Sequence, residues 1–292
     1  MCGIAAIVSP DRPIPPASLD SAIRALGHRG PDGHGRWMAP DGTAALGHTR
    51  LSIIDVFTGV QPIASEDGRY QIVVNGEFYG FEKIRSQLES RGHRFRTGSD
   101  SEIALHLYEE KGPACLEDLR GEFAFILWDD RDRELFAARD RFGIKPLFYA
   151  EAASSLYMAS EAKALFAAGV PAAWDHTAAF QNLFLCLDQG GSLFQHIRQV
   201  PPGHYLHAKG HAVRLHRYWS VDYPRSPSGG SPQEPAAMDR GTAACAGRSS
   251  LAPAQGRRAG GLLSKRGRRL FLGPRNRQCP RHGADDGFYG RL

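Results

Sequence analysis

The sequence lacks the features that mark several classes of protein. It has no run of about 18 apolar residues that could span a membrane, and its first residues have neither the basic nor the long apolar segment of a secretory signal. Its five cysteines are scattered through 292 residues without a C-x-x-C pair. This pattern is typical of neither a disulfide framework nor a zinc site, so we expect a cytoplasmic protein. The 12 histidines show no H-E-x-x-H spacing, so no metal is expected.

The chain also lacks an even distribution of charge. Its formal net charge is +5, but residues 1–224 carry a net charge of −4 and residues 225–292 carry +9. Because the larger part of the chain is not basic, its charge does not favour a nucleic-acid partner.

The last 68 residues, 225–292, lack β-branched apolar residues. They contain no Ile and no Val, and 18 of them are Gly or Pro. Such a segment cannot bury enough apolar surface to offset the entropy lost on ordering, so we predict a disordered Arg/Gly/Pro-rich tail. Residues 1–224 are then predicted to form the folded domain.

Within residues 1–224, apolar runs alternate with turn-forming residues. Strands are predicted at 4–8, 44–54, 70–74, 123–128, 134–138, 146–150 and 156–159. Helices are predicted at 18–26, 82–90, 101–110, 161–168 and 176–186. Ser99 and Glu102 fit a capping box at the start of the third helix. Many strands in hairpin-like succession, with a few amphipathic helices, predict an α+β fold of antiparallel sheets covered by helices.

The most nucleophilic side chain, Cys2, stands directly before the apolar, strand-like run 4–8. If Met1 is removed, Cys2 acquires a free α-amine whose pKa is ordinarily about 7.7–8.0. An amine with that pKa suits the role of general base near neutral pH. The thiol and its base would then belong to one residue, and Gly3 is interpreted as leaving room for a substrate.

Further motifs follow along residues 1–224 in a distinctive order. They are HRGPDGHG (28–35), GHTRLSIID (47–55), VVNGEFYGF (73–81), TGSDSE (97–102), GEFAFILWD (121–129), ARDRFGIKPLFY (138–149), IRQVPPGHYL (197–206) and YWSVDYP (218–224). Together with MCGI they resemble the glutaminase domain of class II, or N-terminal nucleophile, glutamine amidotransferases. Within that group they are most similar to glutamine-hydrolysing asparagine synthetases.

The resemblance implies a four-layer α/β/β/α sandwich and a reaction. Cys2 would attack the side-chain amide of glutamine, forming a γ-glutamyl thioester and ammonia, and water would then release glutamate. The side-chain amide of Asn75 and the backbone N–H of Gly76 match the oxyanion hole of the family. Asn-Gly is otherwise typical of a type I′ hairpin turn, which is the competing interpretation.

The resemblance also implies a substrate-binding set: Arg50, Leu51, Ile53, Ile54, Glu77, Ser99 and Asp100. Arg50 matches the arginine that holds the substrate α-carboxylate, and Asp100 matches the carboxylate that receives the α-ammonium group, with Glu77 as a third contact. The competing interpretations are a strand arginine that faces water and an aspartate at the first position of a helix. The HRGPD segment and ARDRFGIKPLFY are interpreted as structural, and Cys115 and Cys186 as buried apolar residues.

The chain departs from the family after residue 224. Intact asparagine synthetases use glutamine, aspartate, ATP and magnesium, and their phosphate loop reads S-G-G-x-D-S. Here 228–233 read SGGSPQ, so we expect no ATP binding, no cofactor and a need for glutamine and water only. We hypothesise that 225–292 are out-of-frame or truncated coding sequence, and the other reading frames of the gene would test this.

Three alternatives remain open at this point. The first is a glutaminase whose partner is a second copy or a separate synthetase domain. The second is another class II amidotransferase of purine or amino-sugar metabolism, which GHTRLSIID and YWSVDYP disfavour. The third is a non-catalytic remnant that folds but lacks useful activity.

Overall fold

The computed structural model describes residues 1–53, 55, 59–186, 188 and 190–222. The described strands are β1 (Gly3–Val8), β2 (Gly33–Met38), β3 (Ala44–Arg50), β4 (Ile63–Ala64), β5 (Tyr70–Phe78), β6 (Gly121–Asp129), β7 (Glu134–Arg139), β8 (Phe148–Ala152), β9 (Ser155–Ala159), β10 (Ile197–Gln199), β11 (His204–Lys209) and β12 (Ala212–Arg217). The described helices are α1 (Pro16–Ala25), α2 (Phe81–Ser90), α3 (Glu102–Lys111), α4 (Cys115–Asp118), α5 (Ala162–Ala168) and α6 (His176–Leu183). The predicted tail 225–292, its boundary after residue 224, and Ile54 lie outside the described residues.

The strands form two six-stranded sheets. The first has the order β10-β8-β9-β1-β3-β2, and the second has the order β12-β11-β7-β6-β5-β4. Every neighbouring pair is antiparallel. β1 is therefore an interior strand, hydrogen-bonded to β3 on one side and to β9 on the other, and the N-terminus is anchored as its apolar run predicts.

The core consists of three apolar layers. One lies between the sheets and includes Ile4 of β1 and Ile126 of β6. A second lies between β5, β6 and the helices α2 and α3. The third lies between the first sheet and the helices α1 and α5. Both faces of the interior strands are thus buried, which explains why β1 and β6 read as continuous apolar runs rather than as alternating patterns.

This arrangement confirms the predicted α+β fold with α/β/β/α layers. Each large side chain fully buried in these layers stabilises the fold by about 1.5–3 kcal/mol. No described helix has both the length and the apolar character needed to cross a membrane.

Several predicted elements differ from the structure. The predicted strand 44–54 ends at Arg50, whereas 70–74 continues through Asn75 and Gly76 to Phe78. β2, β4 and β10–β12 were not predicted, and they are short or lie at and near the edges of the sheets. Packing against a neighbour, rather than local apolar content, decides such strands.

The capping-box prediction is wrong. α3 begins at Glu102, and Ser101 before it makes no side-chain capping bond. The Glu102 carboxylate instead accepts the backbone N–H groups of Arg96 and Thr97, both at 2.8 Å. Cys115 is buried as predicted, but Cys186 is exposed, because it follows the end of α6 rather than lying in a core layer.

Candidate functional site

Cys2 lies immediately before the interior strand β1. Its carbonyl oxygen accepts the Arg29 Nε–H at 2.8 Å, and Arg29 in turn pairs with Glu161 at 2.7 Å. The Cys2 Sγ accepts the backbone N–H of Leu51 at 3.4 Å. The first cysteine is therefore held by main-chain and side-chain bonds, and Arg29 of the HRGPD segment has the structural role that the sequence predicts.

The interpretation of Gly3 is wrong. A Cβ atom built at Gly3 would lie 2.6 Å from Thr49 Oγ1 and 3.0 Å from Leu26 Cβ, both in the layer beneath α1. Glycine is needed here for packing of the strand against its neighbours, and no access for a substrate follows from it.

The Cys2 side chain opens onto a cleft of about 130 Å³. The cleft brings together the predicted residues from four segments of the chain. Those lining it are Cys2, Arg50, Leu51, Ile53, Asn75, Gly76, Glu77, Ser99 and Asp100. Of the predicted set, Ile54 alone lies outside the described residues.

Asn75 lies inside β5 and not in a hairpin turn. Asn75 pairs with Ala124 and Gly76 pairs with Phe123 of β6, so the type I′ turn interpretation is wrong. Asn75 is 1% exposed, and its Nδ2 atom is buried without a hydrogen-bond partner in the part of the chain that the structure describes. A buried amide without an acceptor costs free energy, so this N–H group is poised for an acceptor that a ligand would supply.

Gly76 is required by the closeness of β5 to β6. Its φ of 154° is unfavourable for other residues, and an added Cβ would overlap the Glu122 carbonyl and lie 2.6 Å from Phe123 Cα. The strand can therefore present its main chain to the cleft only with glycine at this position.

The charged substrate-binding candidates Arg50 and Asp100 enter the cleft from different segments. Arg50 ends β3, is partly buried, and donates to the Asp55 carbonyl, so it is not a strand arginine in open water. Asp100 is 2% exposed and accepts the Phe78 N–H at 2.7 Å. Burial raises the pKa of Asp100 above its ordinary value, although the Phe78 N–H acts in the opposite direction. Asp100 precedes α3 by two residues, so its placement at the first helical position is wrong.

A bond between two loops holds these candidates together. The Asp55 carboxylate accepts the Gly98 N–H at 2.7 Å, which joins the segment after β3 to the segment before α3. Asp55 has a φ of 49°, a conformation that non-glycine residues rarely adopt. Such strain at a cleft is typical of a segment positioned for function.

His48 lines the cleft and was missed by the sequence reasoning. It lies two residues before Arg50 in β3, and side chains two apart share one face of a strand, so this spacing was the available signal. The imidazole is 1% exposed, and its Nε2 is buried without a partner. Burial lowers the pKa of His48 to about 4, and the nearby Arg50 guanidinium acts in the same direction.

A second missed pair consists of Glu122 and Lys145, which also line the cleft. Their charged groups are 3.3 Å apart, and Lys145 Nζ lies 3.8 Å from the Met1 sulfur. Glu122 stands directly opposite Glu77 in the β5–β6 register. The segment that contains Lys145 was interpreted as purely structural, but it also contributes a cation to the cleft.

The chain matches a family model described as a glutamine amidotransferase domain over residues 1–219. It is 37% identical over 237 residues to amidase chry2 of Gibberella zeae, covering 77% of this chain and 35% of that protein. It is 36% identical over 229 residues to asparagine synthetase [glutamine-hydrolyzing] 3 of Bacillus subtilis, covering 76% of this chain and 37% of that protein. The chain thus spans a little over a third of the length of these relatives.

The fold also resembles a solved structure of glutamine phosphoribosylpyrophosphate amidotransferase from Bacillus subtilis. The TM-score is 0.59 at 22% identity, covering 77% of this chain and 50% of that one. At this identity the likeness concerns the fold alone.

Proposed function

The chain belongs to the class II glutamine amidotransferase family, and from that premise we propose that it hydrolyses glutamine to glutamate and ammonia with Cys2 as nucleophile. Removal of Met1 would leave an α-amine on the same residue as the thiol. An amine with an ordinary pKa of about 7.7–8.0 accepts the thiol proton, directly or through one water, at neutral pH.

The reaction proceeds in two halves. The Cys2 sulfur attacks the side-chain amide carbon of glutamine, and electrons move onto the amide oxygen. Collapse of this oxyanion breaks the carbon–nitrogen bond, and the nitrogen takes a proton from the α-ammonium group and leaves as ammonia. Water then attacks the thioester carbon, which releases glutamate and restores the thiol.

The observation that carries this proposal is the unpartnered Asn75 Nδ2, buried in the cleft onto which the Cys2 sulfur opens. In the oxyanion step this amide donates to the developing negative charge, together with the backbone N–H of Gly76. A donor that is buried and already oriented pays no reorganisation cost when the charge appears.

The remaining predicted residues would select free glutamine. Arg50 holds the α-carboxylate through its planar guanidinium, while Asp100 and Glu77 receive the α-ammonium group. Leu51, Ile53 and Ser99 would form the walls around the substrate, and Ile54 belongs to the same proposed set. Because a peptide-bound glutamine has no free α-amine, the acidic pair would discriminate against it.

The ammonia acceptor belongs to the proposal as well. Relatives named asparagine synthetase suggest that this chain corresponds to the glutaminase part of such an enzyme. Since the chain spans only about a third of those relatives, we propose that it carries the glutaminase half-reaction, with a second copy or a separate synthetase as its partner.

The test is glutamate release from glutamine by the full chain and by Cys2→Ala. We expect the variant to be at least about 10³-fold slower, because no other group supplies the nucleophile. The exposed cysteine provides a matched control, Cys186→Ser, which should retain the wild-type rate. Intact-mass analysis should show the chain without Met1. Equal rates for wild type and Cys2→Ala would favour a non-catalytic remnant.

A further inference from the structure

A second group of reactive side chains lies away from the cleft, where the segment after α2 meets α3. We call it the histidine–carboxylate cluster; it consists of His93, Glu102, His106, Glu109 and Glu110. The two Nδ1 atoms of His93 and His106 are 3.1 Å apart. Glu109 Oε2 lies 3.5 Å from the first and 3.3 Å from the second.

These three separations match those around a single ion. Nitrogen and oxygen ligands bind zinc at about 2.0–2.2 Å, so two ligands at tetrahedral angles are about 3.3–3.5 Å apart. His106 and Glu109 lie one turn apart on α3, and His93 completes the triangle from outside the helix. The spacing H-x12-H-x2-E matches no common ligand motif, which is why the sequence predicted no metal.

The other face of each imidazole meets a carboxylate. His93 Nε2 lies 3.2 Å from Glu110 Oε1, within hydrogen-bond distance. His106 Nε2 lies 3.6 Å from Glu102 Oε1, which is too long for a hydrogen bond, and it has no hydrogen-bond partner among the described residues. A carboxylate at Nε2 favours the tautomer with its proton there, which leaves Nδ1 as a lone-pair donor. Metal-binding histidines commonly have such a partner on the nitrogen that does not bind the ion.

The arrangement therefore directs two nitrogen lone pairs and one carboxylate oxygen toward one point. Three such atoms at 3.1–3.5 Å repel one another unless one nitrogen carries a proton or a cation lies between them. His106 is 1% exposed, so water screens this repulsion poorly at its ring. A shared proton would join only two of the three atoms, whereas a metal ion satisfies all three.

We propose that His93, His106 and Glu109 bind a divalent zinc-like ion, with Glu102 and Glu110 orienting the two imidazoles. Two histidines and one glutamate form a known zinc donor set with one further position open. The side chains of His93 and Glu109 are 17% and 33% exposed, so that position faces solvent.

The ion would stabilise the segment that carries Asp100. The Glu102 carboxylate orients His106 and also accepts Thr97 Oγ1–H at 2.6 Å, in addition to its two backbone bonds. Binding at the cluster thus holds the turn between Thr97 and α3. The proposed role of the ion is to stabilise this segment, and the ion takes no part in the chemical steps of the proposed glutaminase reaction.

The experiment uses the purified full chain, stripped with a chelator, dialysed, and titrated with zinc chloride by calorimetry. We expect one zinc ion per chain and a higher thermal midpoint when zinc is bound. Glu109→Gln and His93→Gln should each bind zinc at least about 10-fold more weakly, as losing one of three ligands implies.

Matched controls separate this site from other zinc-binding groups. Glu117→Gln removes an exposed carboxylate on α4 and should bind zinc as the wild type does. Cys2→Ala and Cys186→Ser should also retain the ion, since neither thiol belongs to the cluster. The proposal would be overturned if the wild-type chain binds no zinc in the titration, or if Glu109→Gln binds zinc as tightly as the wild type. The contact between the two imidazoles would then be a hydrogen bond with a shared proton.

Discussion

The cleft and the histidine–carboxylate cluster are both built around buried polar atoms. The cleft has an excess of hydrogen-bond donors, whereas the cluster has an excess of acceptors. In the cleft, the Asn75 Nδ2 group has no hydrogen-bond acceptor among the described residues. In the cluster, two imidazole nitrogens and a carboxylate oxygen lie within 3.1–3.5 Å of one another, and we propose that they direct electron pairs toward one ion. The first region is suited to an oxyanion and the second to a cation, so the kind of unmet polar group indicates the kind of ligand.

The two regions can also be compared through the pKa values of one buried histidine from each, His48 in the cleft and His106 in the cluster. Each is 1% exposed. Burial and, to a smaller extent, the Arg50 guanidinium together lower the pKa of His48 to about 4. Burial also acts to lower the pKa of His106, but Glu102 and Glu109 outweigh that effect and raise it. Both imidazoles are buried, but the neighbouring charges differ in sign: a guanidinium favours the neutral form of His48, and two carboxylates favour the charged form of His106.

The largest effect on activity is expected from substitution of Asn75, which tests whether the cleft is suited to an oxyanion. Asn75→Ala should lower kcat by about 10²–10³, with little change in KM, because the amide acts on the oxyanion and not on bound glutamine. Steady-state glutamate release measures this. The exposed Asn182→Ala on α6 is the matched control and should retain wild-type kcat. If the kcat of Asn75→Ala equals that of Asn182→Ala, the Asn75 amide does not stabilise the oxyanion.

A second prediction tests whether the cleft depends on the close main-chain contact between β5 and β6. The histidine–carboxylate cluster, by contrast, is formed by side chains. Gly76→Ala should destabilise the fold by about 3 kcal/mol, since the added methyl overlaps the backbone of β6. Gly68→Ala is the control: it also has positive φ, at 79°, but its Cβ meets no atom within 4 Å, so about 1 kcal/mol is expected. Guanidinium unfolding measures both variants, and equal losses would show that strand contact does not govern this position.

The third prediction sharpens the contrast between the two buried histidines. The folded-state pKa of His48 is about 4, below its ordinary 6.5, so the unfolded chain binds the proton first as pH falls. Stability from the neutral imidazole is therefore complete above about pH 6.5, and about 3 kcal/mol is lost as pH falls toward 4. Unfolding of wild type and His48→Gln at several pH values should show their difference shrinking in this window. His34→Gln, at an exposed position, serves as control. If the difference in unfolding free energy between wild type and His48→Gln is constant with pH, His48 is not a buried neutral imidazole.

Local patterns predicted much of the fold and most of the candidate site. The apolar runs of β1, β6 and β7 predicted strands, and these runs are continuous because strands buried on both faces need apolar residues at every position. The motif order predicted nine of the cleft residues that the structure brings together, from Cys2 to Asp100. The edge strands β2 and β12 were missed, since a half-exposed strand carries little apolar signal.

The sequence by itself determined which residues belong together in kind: an N-terminal thiol, an Asn-Gly pair, an arginine and an acidic turn, in the order of one family. Only the tertiary structure decided that Asn-Gly continues a strand, that Gly3 serves packing, and that His48 and Lys145 face the cleft. It also brought His93 to within 3.1 Å of His106. The physical reason is that motifs are local, whereas a cleft or an ion site is assembled from distant segments whose approach depends on sheet pairing and helix packing.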